Sequence, residues 1–140
     1  MATVHQLRGA VLRGESGMGK TALAQVVADR LTAAGESVVW IVATAASQPM
    51  PFGALAPLLA DDLPALHPAL VLGHVSRALS AASRGRRVPL VVVDDAHFLD
   101  DQSAATVLGL VSGGGARVLA TVPSGTTPPD AVVALWKTAS

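Results

Sequence analysis

Residues Gly14 to Thr21 read GESGMGKT, and a later block, Leu90 to Asp95, reads LVVVDD. Gly14, Gly19, Lys20 and Thr21 complete the pattern G-x-x-x-x-G-K-[ST], with an extra Gly17 inside it. The spacing suits phosphate. Glycines let the backbone turn with positive φ and approach an anion closely, so successive N–H groups converge on its oxygens. A helix starting at Gly19 adds the positive end of its dipole. The candidate phosphate-binding set is therefore Gly14, Glu15, Ser16, Gly17, Met18, Gly19, Lys20, Thr21 and Ala22. Lys20 has the reach for the β- and γ-phosphates, and the Thr21 hydroxyl suits Mg²⁺. The alternative is a glycine-rich turn with an incidental lysine; a strand before the loop and a helix after it weigh against that.

A magnesium–nucleotide site needs an acid, because the ion keeps several waters and takes few protein ligands. Asp94 ends an apolar run, at the strand edge where open α/β sheets bind ligands. Thr21 and Asp94 are thus the candidate metal residues. Asp95 is the candidate to orient and deprotonate an attacking water, and Lys20 and Asp95 form the candidate catalytic pair. The competing reading is that both acids only end the strand and cap the next turn. Adjacent carboxylates repel, however, unless a cation such as Mg²⁺ or Lys20 offsets them.

The elements that must position these residues are readable from apolar patterning. Gly9 to Leu12 is a short apolar run leading into the loop. From Gly19, Leu23, Val26, Val27 and Leu31 recur at helical steps, with Gly35 as the stop. Ser37 to Ala43 and Pro89 to Asp95 are apolar without alternation, as in strands covered on both faces. Between them, Pro51 to Gly85 predicts one or two helices broken by prolines, the clearer over Ala69 to Ala82. Asp100 or Asp101 caps a helix through Val111 that Gly113 to Gly115 end, and Ala116 to Val122 is another strand. Pro128 and Pro129 open a last short helix through Trp136. Strands alternating with helices predict an α/β P-loop layered domain, with a mostly parallel sheet flanked by helices.

Composition narrows the partners. The 140 residues carry 10 Lys+Arg and 10 Asp+Glu, so no global charge favours nucleic acid or an anionic membrane. Hydrophobic residues are 51% and cysteine is absent, which fits a folded domain of the cytoplasm. The apolar stretch Pro51 to Gly73 is interrupted by Pro57, Asp61, Asp62, Pro64 and Pro68 and spans no membrane.

The block PLVVVDDAHFLDD, together with PFGALAPLL, RVLATVPSG and DAVVALWK, resembles the ATPase domain of bacterial LuxR-type regulators. These are signal-transduction ATPases related to the AAA+ proteins. The resemblance covers nearly the whole chain. It implies ATP binding on a five-stranded sheet, then a helical lid, a winged helix and a distant DNA-binding helix-turn-helix. The expectation for residues 1–140 is the nucleotide-binding core alone, because the sequence reaches Ser140 without the lid, a fifth strand or the DNA-binding helices. Its partners are then ATP or ADP, and self-association or the downstream domains, with no direct DNA contact. The segment before Gly9 is short for cradling adenine. Where the resemblance implies an arginine that senses the γ-phosphate, this chain has Pro123, and nearby Thr121 and Ser124 are polar but cannot replace a cation. Binding with hydrolysis barely above background is the expectation. A small P-loop kinase, or a degenerate interaction module, is the alternative.

Other residues are less telling. His97 either couples the site to the next helix or serves as a structural hydrogen-bond donor. His5, His67 and His74 are too scattered for a metal cluster. Arg84, Arg86 and Arg87 read as a solvated loop, and Arg117 is a formal arginine-finger candidate that nothing selects. Trp40 and Trp136 read as packing residues.

Overall fold

The computed structural model describes residues 9–14, 18–59, 67–83, 88–127, 129–130 and 132–134. Strand β1 (Gly9–Gly14) leads to helix α1 (Met18–Ala33) and strand β2 (Val38–Val42). A 3₁₀ turn (Gly53–Leu55) and helix α2 (Ala56–Leu59) precede helix α3 (Pro68–Ser83). Strand β3 (Leu90–Asp94) runs into a second 3₁₀ turn (Ala96–Phe98), helix α4 (Asp101–Ser112) and strand β4 (Arg117–Pro123). Residues 130 and 132–134 are helical, with the Val132 amide donating to Pro129 O. Trp136, His5 and Arg84 to Arg87 lie outside the described residues.

The sheet is parallel throughout, in the order β1-β4-β3-β2. The α/β layering expected of the sequence is therefore the one observed, with four strands among the described residues. Parallel pairing brings every carboxyl end to one edge, where Gly14 pairs with Pro123 and Val42 with Asp94. Strands β3 and β4 are central and buried on both faces, which is why their sequences run apolar without alternating. Val91, Val93, Val118, Ala120 and Val122 pack under α3, α4 and the 3₁₀ turns. Leu90, Val92 and Leu119 face α1, with Trp40 half-buried against the same cluster.

Helix α1 is rotated from the stripe that the sequence predicts. Leu23 and Val26 are 47% and 45% exposed, and the buried stripe is Ala24, Val27, Ala28 and Leu31. Alanines let the helix axis sit close over the sheet, whereas a leucine at position 24 would hold it away. Its end is as expected: Gly35 takes a φ of 85°, and the Glu36 amide reaches back to Leu31 O. Helix α4 closes in the same way through Gly114, at φ 77°. Its cap is Asp100 rather than Asp101, because Asp100 Oδ2 accepts the Ser103 amide at 2.9 Å. The same oxygen accepts the Phe52 amide at 2.8 Å and so ties the loop after β2 to the start of α4.

Arg117 lies at the amino end of β4, away from the loop edge, and is 5% exposed. Its Nη2 donates to Glu36 Oε1 at 2.6 Å and to Val88 O at 3.0 Å. That burial leaves no arginine finger to offer a neighbour. Replacing Arg117 with methionine leaves the half-buried Glu36 without its guanidinium, and we expect a loss of about 3 kcal/mol in unfolding free energy. A urea titration with a lower midpoint and an unchanged slope checks this.

Candidate nucleotide site

The loop edge assembles residues that are far apart in sequence. Strand β4 separates β1 from β3, so the loop after β1 starts about 10 Å from the end of β3, at roughly 4.8 Å per strand. Helix α1 bridges that gap. The Thr21 hydroxyl, in its first turn, donates to Asp94 Oδ1 and Oδ2 at 3.1 and 3.3 Å. The predicted metal pair, 73 positions apart, is thus brought into contact.

Beneath Asp94 lies Thr121 of β4, only 1% exposed. Its hydroxyl accepts the Asp95 amide at 2.9 Å and donates to Asp94 Oδ1 at 2.7 Å. The hydroxyl has one proton. Having accepted from the amide, it must direct that proton to the carboxylate. Asp95 occupies the left-handed region, φ 56° and ψ 50°, as the chain leaves β3 for the 3₁₀ turn. For a residue that is not glycine this conformation carries strain, and such strain concentrates at functional sites. Thr121 was not among the residues that sequence reasoning selected; a threonine in a strand reads first as a good strand former.

The remaining predicted residues fall as follows. Gly14 closes β1 and Met18 opens α1, while Glu15, Ser16 and Gly17 lie outside the described residues. Gly19 is exposed at the start of α1, and a Cβ built there meets no atom within 4 Å. Packing against the described residues therefore does not explain this glycine. Lys20 is half-buried in the first turn of α1, next to exposed Thr21 and Ala22. Hard oxygen donors, the Thr21 hydroxyl and the Asp94 carboxylate, suit a magnesium ion.

His97 does not join this group. Its ring lies against Phe98, tilted by 35° with 3.9 Å between centroids, and its carbonyl accepts from Gln48 Nε2 at 3.2 Å. Among the described residues there is no cluster of three or more metal-ligating side chains. No helix among them is long and apolar enough to cross a membrane. A cavity of about 350 Å³ between α3 and α4, lined by Leu72, Gly73, Gly109 and Leu110 among others, has no titratable side chain and lies apart from this edge.

A parallel sheet with a glycine-rich segment between β1 and α1, and acids at the end of β3, defines the P-loop α/β class of nucleotide-binding domains. The AAA domain profile matches residues 5–125, and the chain belongs to that family. Its fold is similar to that of the Aeropyrum pernix Orc1 protein, whose structure was solved in complex with DNA. The TM-score is 0.57 at 19% identity, over 89% of this chain and 38% of that one. At such identity the likeness bears on the fold alone. No protein of curated function matches the sequence.

Proposed function

We propose that residues 1–140 form the Mg²⁺–ATP-binding switch of a cytoplasmic bacterial transcriptional regulator of the LuxR type. The observation that carries the nucleotide part is the contact between Thr21 and Asp94. Because Thr21 donates its proton to the carboxylate, its lone pairs remain available to a cation beside the loop. The backbone amides of Gly14 to Ala22, with Lys20, bind and orient the phosphates. Open space at Gly19 fits the close approach of an anion. Thr21 and Asp94 would hold a Mg²⁺ ion, which would offset charge on the phosphates. In this reading Asp94 would hold the metal side through water, and Asp95 would align the attacking water and take its proton. The regulator assignment rests on the sequence resemblance. In it, the bound nucleotide biases the geometry between this core and further domains.

Calorimetric titration of ATP and ADP, with and without Mg²⁺, tests the assignment. Asp94→Asn should weaken the Mg²⁺-dependent affinity about ten- to a hundred-fold. Asp95→Asn should preserve binding and reduce only turnover. Equal effects of both on affinity would deny each acid its proposed role.

Residues 1–140 are expected not to bind DNA specifically. Their net charge of zero gives no large counterion-release term. A mobility shift that persists in moderate salt with nonspecific competitor present would refute this.

A further inference from the structure

We propose that Thr121 is the positioning residue that couples the two acids, so that a divalent cation engaged at Asp94 is registered at Asp95. The proposal rests on the nucleotide reading above and concerns how that site is wired.

A hydroxyl inside a fully buried apolar strand is costly unless both its donor and its acceptor capacity are used. Valine has nearly the same shape, and the strand ARVLATV would accommodate it as readily. Thr121 uses both capacities on one pair of residues, accepting from the Asp95 amide and donating to Asp94. Alternation along β4 puts it on the α1 side of the sheet with Leu119, the side on which Thr21 reaches Asp94. Its branched Cβ restricts χ1, so the hydroxyl has little freedom to turn elsewhere.

A directed chain results: the Asp95 amide to the Thr121 oxygen, and the Thr121 proton to Asp94, which also receives the Thr21 proton. Bonds in such chains polarise one another. Withdrawing electron density from the Asp94 carboxylate weakens it as an acceptor for Thr121. The Thr121 oxygen then changes as an acceptor for the Asp95 amide. That amide bond and the Phe98 amide donating to Asp95 O are the two backbone hydrogen bonds at the left-handed Asp95, so a change in the first bears on the turn that carries its carboxylate.

The test uses the 140-residue chain labelled with ¹⁵N and loaded with ADP, titrated with Mg²⁺. The Asp95 amide resonance should move in step with Mg²⁺ occupancy. Thr121→Val should lower Mg²⁺ affinity about ten- to a hundred-fold and uncouple the Asp95 amide from the titration. Thr121→Ser, which keeps the hydroxyl, should restore both. An unchanged Mg²⁺ affinity in Thr121→Val, or no recovery in Thr121→Ser, overturns the proposal. Should the valine variant not fold, the parent protein decides: an Asp95 amide that stays still while the Thr21 amide moves overturns it equally. Asp94→Asn separates the two levels. If it loses Mg²⁺ affinity and Thr121→Val does not, only the wiring is wrong. If it loses none, the nucleotide reading fails with it.

Discussion

Lys20→Ala is expected to reduce ATP and ADP affinity about a thousand-fold or more and to leave the fold intact. Lys20 sits in the first turn of α1, and in the proposed site its ammonium group would supply hydrogen bonds and charge to phosphate oxygens. Each hydrogen bond to a charged group contributes about 1.5–3 kcal/mol, so losing two reaches this magnitude. The stripe by which α1 packs is Ala24, Val27, Ala28 and Leu31, and Lys20 is not in it. Alanine is also the better helix former, so the first turn is not weakened by the substitution. Calorimetry measures the affinity, and a thermal melt by circular dichroism confirms the fold. Parental affinity in the variant would remove Gly14 to Ala22 from the site.

The parts of this domain that were legible in the sequence are those written in local pattern. The runs at Val38–Val42, Leu90–Asp94 and Arg117–Pro123 could be read as strands because burial on both faces removes polar residues. The spacing of Gly14, Gly19 and Lys20 is legible as well, and it falls where a strand ends and a helix begins. The side of α1 that faces the sheet is not local information. It depends on how closely the helix can approach, and alanines decided that against Leu23 and Val26.

Strand order is still less local. Nothing in Gly9 to Leu12 says that its partner is β4, more than a hundred positions away. The role of Thr121 follows from that same fact. Only when β4 lies between β1 and β3 does position 121 fall beneath Asp94 and within reach of the Asp95 amide. From sequence Arg117 is only a formal arginine-finger candidate, and the parallel register puts it at the amino edge, beside Glu36. Asp100 and Asp101 are equivalent as letters; the Phe52 amide, from a distant loop, is part of what makes Asp100 the cap.

Hydrolysis is where the largest deficit is expected. The 140-residue chain should bind ATP weakly and turn it over barely above the uncatalysed background. Phosphoryl transfer relies on cations to stabilise charge on the γ-phosphate, and an arginine in that position contributes about 10³ to 10⁵ in rate. Pro123 ends β4 directly beside Gly14, so it borders the start of the loop with no charge and no N–H to donate. Thr121, two residues earlier, is engaged with Asp94 and the Asp95 amide. In the proposed site Lys20 and Mg²⁺ would supply part of the stabilisation, and the residue at 123 would supply none. Pro123→Arg should therefore raise turnover only slightly. A long flexible guanidinium at position 123 is not fixed by the substitution alone, and effective catalysis requires the reacting groups within a narrow geometry. Single-turnover measurement at saturating Mg²⁺–ATP decides the matter. Brisk hydrolysis by the unmodified chain, abolished by Asp95→Asn, would show that these residues are a complete enzyme and that the cation missing at position 123 is supplied from elsewhere in the site.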